Sequence, residues 1–321
     1  MACITVRGDY TDMRIISISM ETENQTTVPM CACIGYFDGM HVGHQALIRR
    51  TIELAEKHGC ESALITFDPD PWVTVRGIQN VKHITTLRQR INMAVSFGIQ
   101  NVIILKFSKE MSMLEPSEFT SRILGHLRLR AIVCGFDFRY GKNGAGSAET
   151  LRQALTCETS VIEAVSDSQG KISSTRIEQA LVKGDIRAVN RMLGYRYQLE
   201  GTVMHGRHKG TGLGFPTANL SYAQEYLLPK SGVYAGYVTF DSKTYPAMIN
   251  IGHNPTLNFQ DALSVEAHIL NYKGDLYGKR ITISFSEYIR EEKDFRNRTN
   301  LIMQLEQDTR NVQRVLKNDE F

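Results

Sequence analysis

Cys33-Ile34-Gly35-Tyr36-Phe37-Asp38-Gly39-Met40-His41-Val42-Gly43-His44 joins a short apolar run to a glycine-rich turn and then to a helical pattern. Between Gln45 and His58, the side chains of Leu47, Ile48, Leu54 and Ala55 fall on or near one face of a 3.6-residue repeat. A strand, a glycine turn and a helix start, in that order, make an anion site. The first helical amides lack intrahelical partners, and they carry the positive end of the helix dipole. Gly43 lets the backbone approach a ligand closely, and His41 and His44 stand where both imidazoles can share one anionic group. An ordinary strand-to-helix connection with two surface histidines fits the same residues, so the surrounding sequence has to decide.

The first half of the chain repeats this alternation. Apolar runs at 30–34, 63–67, 102–105 and 131–134 are separated by helical patterns at 43–58, 87–97 and 116–127. Continuous apolar strands between amphipathic helices predict an α/β domain with a parallel sheet covered on both faces. Such sheets take ligands beyond the carboxyl ends of their strands, where the histidine turn falls. The pattern changes near Gly184. Runs at 197–203, 233–238, 247–251, 265–270 and 281–285 alternate apolar with polar residues and are punctuated by Gly, Asn, Asp and Pro. They predict an antiparallel barrel or sandwich, closed by a helix over 299–316. The expected division is 1–184 and 185–321, with a linking helix over 185–193.

At 321 residues the chain accommodates two domains with real cores. Its 42% hydrophobic and 22% charged content is that of a soluble globular protein. A net charge of +3 gives no argument for nucleic acid or a membrane as the main partner, and leaves small anionic ligands open. The six cysteines are scattered without a CxxC pair, which fits reduced core thiols. No signal-peptide pattern or membrane-length apolar run occurs, so a cytoplasmic location is expected. The sequence does not fix the oligomeric state.

Three further segments of the first half can surround a phosphate ligand. Gly135-Phe136-Asp137-Phe138-Arg139-Tyr140-Gly141 follows an apolar strand, and Ile172-Ser173-Ser174-Thr175-Arg176 puts hydroxyls and a guanidinium before a helix. Phe67-Asp68-Pro69-Asp70-Pro71 follows another strand, and there a rigid turn is the simplest reading. Together with the histidine turn these segments resemble the HxGH nucleotidyltransferases, and specifically the N-terminal domain of bacterial FAD synthetases. The resemblance implies a Rossmann-like domain that transfers AMP from ATP to FMN. It implies phosphate handling by His41 and His44, and nucleotide contacts from Gly35, Phe37, Asp38, Gly43, Asp137, Ser174, Thr175 and Arg176. Two positions depart from the family. Asp70 stands where its FxPHP segment has an imidazole, and Glu178 where SSTRIR ends in a base.

In the second half, Gly206-Arg207-His208-Lys209-Gly210-Thr211-Gly212-Leu213-Gly214-Phe215-Pro216-Thr217-Ala218-Asn219 is dense in glycine and cations. No GxxxxGK[ST] occurs. Thr217 and Asn219, two apart, share a face in an extended segment and offer oxygen ligands that suit Mg2+. The segment 214–219 resembles the GFPTAN motif of riboflavin kinases, the C-terminal domain of the same bifunctional family. Gly232-Val233-Tyr234, the turn 250–256, Val265-Glu266-Ala267-His268-Ile269-Leu270, Asp275-Leu276-Tyr277-Gly278 and the stretch 289–295 match further family segments in order. The resemblance implies a six-stranded barrel that phosphorylates riboflavin with ATP and Mg2+. It makes Glu266 the catalytic base, puts Gly210, Gly212, Gly214, Thr217 and Asn219 around nucleotide and metal, and Arg290 and Phe295 at the flavin. Two other readings stay open at this point: a kinase whose adenylyltransferase half is weakened or lost, and a flavin or nucleotide sensor without turnover.

Overall fold

The computed structural model describes residues 13–22, 26–204, 215–253, 263–295 and 297–319. It separates into two compact units, Met1–Ser173 and Ser174–Phe321. Three sequence expectations, Gly210, Gly212 and Gly214, lie outside the described residues, as do Arg207, Lys209 and Thr211.

The first unit is built on strands β1 (Arg14–Ile18), β2 (Pro29–Ile34), β3 (Glu61–Asp68), β4 (Asn101–Lys106), β5 (Arg128–Gly135) and β6 (Glu158–Ile162). They pair in the order β1-β4-β3-β2-β5-β6, every pair parallel. The strand interiors are continuously apolar because both faces are buried. Met30, Ala32 and Ile34 enter one core cluster, while Cys31 and Cys33 enter the other. Burial drives the Cys33 thiol up to about 12, an inert core residue. The chain lays β3 and β4 on one side of β2, then returns to place β5 on the other. The order therefore reverses at β2/β5, and the crevice beyond their carboxyl ends is where a parallel sheet takes its ligand.

Helix α1 (Val42–His58) buries Leu47, Ile48, Leu54 and Ala55, the stripe its sequence predicts, and ends on Gly59 at φ 58°. Helix α2 (Pro71–Arg76) replaces the plain turn expected after Pro69. Asp70 caps it, accepting from the Trp72 amide at 2.8 Å, and the Asp68–Pro69 peptide is cis. Helices α3 (Leu87–Ser96), α4 (Pro116–Arg122) and α5 (Ala148–Ala154) complete the covering layers.

The second unit opens with α6 (Ser174–Lys183) and α7 (Ile186–Leu193). Compactness thus places the division before α6, ahead of the boundary expected at 184/185. The Lys230 amide donates to Leu181 O at 3.0 Å, tying α6 to the barrel unit. Strands β7 (Gln198–Met204), β8 (Ala218–Tyr222), β9 (Gly232–Phe240), β10 (Lys243–His253), β11 (Leu263–Ile269) and β12 (Arg280–Arg290) close an antiparallel barrel in the order β7-β8-β11-β10-β9-β12. Helix α8 (Arg298–Lys317) packs Val312 against Val233, Ala235, Met248 and Leu270.

Candidate active sites

At the β2/β5 crevice, β2 runs into a turn that holds three residues at positive φ, Phe37 at 62°, Gly39 at 76° and Met40 at 40°. Asp38 braces it. Its carboxylate accepts from the Ile84 amide (3.0 Å), the Thr85 amide (2.8 Å) and the Thr85 hydroxyl (2.8 Å), and it is buried. Asp38, which the resemblance puts at the nucleotide, holds the backbone that shapes the turn. Gly35 likewise anchors the start of the turn, its amide donating to Ile65 O at 3.1 Å.

His41 is the N-cap of α1: its Nδ1 accepts from the His44 amide at 3.3 Å. That bond leaves Nδ1 unprotonated and puts the imidazole proton on Nε2, free to donate to an anion. The two imidazoles stack with centroids 3.7 Å apart, and Phe37 meets His44 edge-on at 5.2 Å. Gly43 leaves room between them, since a Cβ there would sit 3.0 Å from the His41 ring and press on it. Burial, then the Lys171 charge, lowers His41 to about 4. Burial, His41, Arg90 and Lys171 hold His44 well below the ordinary imidazole range. Both rings are therefore neutral at pH 7, and positive charge at the site comes from the helix start and from cations the motif does not contain.

Two of those cations escaped the sequence reading. Arg90, from α3, is buried; it donates to Tyr36 O at 2.6 Å and Thr66 Oγ1 at 3.2 Å, and stacks on the Tyr36 ring at 4.2 Å. Lys171 pairs with Asp137 and lies 4.8 Å over the Phe136 ring. Asp137 lies just past the end of β5, with a lysine on its carboxylate. Nothing in the local sequence marks Arg90; Lys171 directly precedes the hydroxyl segment, which was the available signal. Asp70 points its second oxygen at His83 Nδ1, 3.8 Å away, and His83 also lies 3.9 Å from Asp38 Oδ2. The carboxylate that replaces the family's imidazole is buried as a helix cap beside another imidazole. Ser174, Thr175 and Arg176 form the first turn of α6, with Glu178 later in the same helix.

A folding consequence follows from the depressed imidazole. His41 binds its proton less tightly folded than unfolded, so stability is full above its unfolded pKa of 6.5. It falls as pH drops from 6.5 towards 4, by about 2–3 kcal/mol at pH 4.5. Asn is an equally good N-cap that cannot titrate. Denaturant unfolding followed by Trp72, the chain's one tryptophan, is expected to show a smaller loss between pH 7 and pH 4.5 in His41→Asn than in the native chain. Equal losses would mean that His41 is not held neutral.

In the barrel, Val265, Ala267 and Ile269 are buried while Ser264, Glu266 and His268 face the other way, as the alternation predicts. Register sets Asn219 directly across from Glu266 on β8, and Asn250 directly across on β10. Opposed residues of antiparallel strands share a face, so three strands bring Asn219, Glu266 and Asn250 into one row. Thr217 joins it, its hydroxyl donating to Glu266 Oε2 at 3.3 Å. Asn250 was visible in the sequence only as the start of a turn motif. His268 instead accepts a structural place, with Nδ1 2.9 Å from Pro216 O and its ring on Phe215 at 5.2 Å.

A cavity of about 460 Å3 opens beside Thr217, lined also by Tyr272, Lys273, Asp275 and Tyr277. The Asp275-Leu276-Tyr277-Gly278 turn forms a wall of this cavity, shaped by Asp275 Oδ1 accepting from the Tyr277 amide at 2.9 Å. Ala218 and Ala267 line it, from the opposite face of the strands that carry Asn219 and Glu266, and Thr217 is the residue it shares with the Glu266 row. Lys273 and Tyr272 were not singled out from sequence. The Nε and Nη2 of Arg290 go to Asp308 at 3.0 and 2.6 Å and its Nη1 to Glu291 O at 2.7 Å. Asp308 is fully buried on α8, so this guanidinium is satisfied within the protein and ties β12 to α8. Among the described residues no group of three or more His, Cys, Asp or Glu could hold a metal; the oxygen donors Thr217 and Asn219 fit a hard cation that shares its shell with phosphates and water.

Comparison with known proteins agrees with both halves. The model of the FAD synthetase family matches residues 23–176, and that of the riboflavin kinase family matches residues 193–316. The chain is 35% identical to the bifunctional riboflavin kinase/FMN adenylyltransferase of Listeria monocytogenes, over 89% of this chain and 92% of that protein. Identity is 33% to the Bacillus subtilis enzyme of the same name, with the same coverage, and 30% to that of Escherichia coli K12, over 89% and 93%. A crystal structure of a Streptococcus pneumoniae protein described as a macrolide-efflux protein superposes with a TM-score of 0.85 at 29% identity, covering 93% of this chain and 99% of that one. No helix among the described residues is long and apolar enough to cross a membrane.

Proposed function

The chain belongs to the bifunctional riboflavin kinase/FMN adenylyltransferase family, and from its two sites we propose that it converts riboflavin to FMN in the barrel and FMN to FAD at the histidine turn. ATP is the co-substrate of both steps, and Mg2+ the metal. The observation that carries the division is the placement of unlike chemistry in unlike folds. A carboxylate faces Thr217 and Asn219 in the barrel, whereas a nucleophile-free pair of neutral imidazoles caps a helix at the sheet's switch point.

Riboflavin's 5′-hydroxyl is a poor nucleophile until it loses its proton, so the first step needs a base. Glu266 Oε2 would accept that proton as the hydroxyl oxygen bonds to the γ-phosphorus and the bond to the ADP oxygen breaks. Thr217 and Asn219 would hold Mg2+, which draws charge from the β,γ-phosphates when bound. Lys273 and the aromatic rings of Tyr272 and Tyr277 suit the nucleotide side of the cavity.

FMN brings its own anionic nucleophile, so the second step needs no base. A phosphate oxygen of FMN attacks the α-phosphorus of ATP and pyrophosphate leaves. The task is positioning and charge neutralisation. His41 Nε2–H, the α1 amides and the charges of Lys171 and Arg90 are arranged for it. We assign Ser174, Thr175 and Arg176 to the departing phosphates. Asp70 caps α2 beside His83 and Glu178 lies on α6, so neither supports a reading in which adenylyl transfer is lost. We keep the functional boundary at 184/185, between the two matched segments.

The purified chain given riboflavin, ATP and Mg2+, with products separated by chromatography, is expected to form FMN first and FAD after a lag. FMN as the sole product, including when FMN and ATP are supplied directly, would overturn the adenylyltransferase assignment.

A further inference from the structure

A second cavity of the barrel unit, about 320 Å3, opens where α7, β12 and the end of α8 meet. It shares no lining residue with the cavity at Thr217. Its shape originates in a bulge. Phe285 pairs with Gly236 and Glu287 with Ala235, which leaves Ser286 as the extra residue of β12. Bulges re-aim side chains, and here the re-aimed group is a hydroxyl on the cavity wall. Ser286 is only 6% exposed, and its Oγ has no hydrogen-bond partner among the described residues. A buried hydroxyl without a partner is costly, and a native fold that keeps one invites a functional explanation.

The opposite wall is α7, pinned to the bulge by Asn190. That side chain donates to Phe285 O and accepts from the Tyr197 amide, both at 2.8 Å, which fixes its orientation. Arg187 and Arg191 follow on α7 at i and i+4, on one face. The acids of the cavity are already neutralised: Glu287 by Arg187 at 2.5 Å, and Asp319 by Arg196 at 3.1 Å. Arg191 lines the cavity with no acid in ion-pair range among the described residues. One unspent positive charge, a second guanidinium within a helical turn, and a buried hydroxyl converge on a space at the small end of ligand pockets. Tetrahedral phosphate, with three strong acceptor oxygens and about two charges, matches that donor set.

We propose that this cavity binds a phosphate oxyanion, carried by a small phosphate monoester or by the free ion, through Arg191 and Ser286 Oγ. It is a site separate from both reaction centres. The test is calorimetric titration of the full chain in phosphate-free buffer with ribose 5-phosphate and, separately, inorganic phosphate. Saturable binding of at least one is expected, weakened tenfold or more in Arg191→Gln and about fivefold in Ser286→Ala. His44→Ala should leave it unchanged. Tighter binding of the ester assigns the site to a phosphorylated metabolite, and equal binding to the free ion. Removing an unpartnered hydroxyl leaves the thermal midpoint of Ser286→Ala equal to or above that of the native chain, which keeps the test decisive if Arg191→Gln folds poorly. Neither variant should alter either reaction rate without added phosphate. No saturable binding of either probe at millimolar concentration, binding unaffected by both variants, or binding lost in His44→Ala would overturn the proposal.

Discussion

Glu266→Gln is expected to lower riboflavin phosphorylation by about 10²–10⁴-fold, the usual worth of a positioned general base, while FAD formation from added FMN stays at the native rate. Gln keeps the length and shape of Glu, and its amide oxygen can still accept from the Thr217 hydroxyl now 3.3 Å from Oε2. The cross-strand neighbours Asn219 and Asn250 remain in register because the pairing is made by the backbone. What Gln cannot do is take a proton. The loss should therefore appear in kcat, with the KM for riboflavin little changed. A variant that loses adenylyl transfer as well would show that the two reactions do not have separate centres.

His44→Ala is expected to do the converse, reducing FAD formation from FMN and ATP by about 10²–10³-fold and leaving riboflavin phosphorylation intact. The fold should tolerate the change. The cap of α1 uses the backbone amide of His44, which Ala retains. The imidazole it removes has a buried Nδ1 without a hydrogen-bond partner among the described residues. The variant loses a donor at the phosphate site and the ring that stacks on His41 at 3.7 Å. A native rate of FAD formation in a folded His44→Ala protein would move the chemistry away from this turn.

The central strands β2 to β5 were legible because burial on both faces makes them continuously apolar. The edge strands β1 and β6 were not read from the sequence: with one neighbour each they are only half-buried along most of their length, and Glu158 and Thr159 look like a loop. In the barrel, β8 was hidden because 214–219 reads as a glycine and proline loop up to Ala218, where pairing with β7 and β11 begins. The alternation of Val265, Glu266, Ala267 and His268 told which side Glu266 faces, but not what it would meet; Asn250 becomes its neighbour only through register. The same limit hid Arg90 and His83, brought to the histidine turn by the packing of α3 and of the 83–85 segment. Asp70 was misleading in isolation. It stands as a departure from the family's imidazole, whereas in three dimensions it is a buried cap beside His83.

The most direct measurement of the central claim, two independent reaction centres acting in series, is to mix the two variants. Neither Glu266→Gln nor His44→Ala alone should turn riboflavin, ATP and Mg2+ into FAD at an appreciable rate. Together in one solution they should do so, because His44→Ala releases FMN that Glu266→Gln adenylylates. FAD formed by the mixture after a lag in which FMN accumulates is the predicted result. A mixture in which FMN fails to appear, or appears and is never converted, would contradict it.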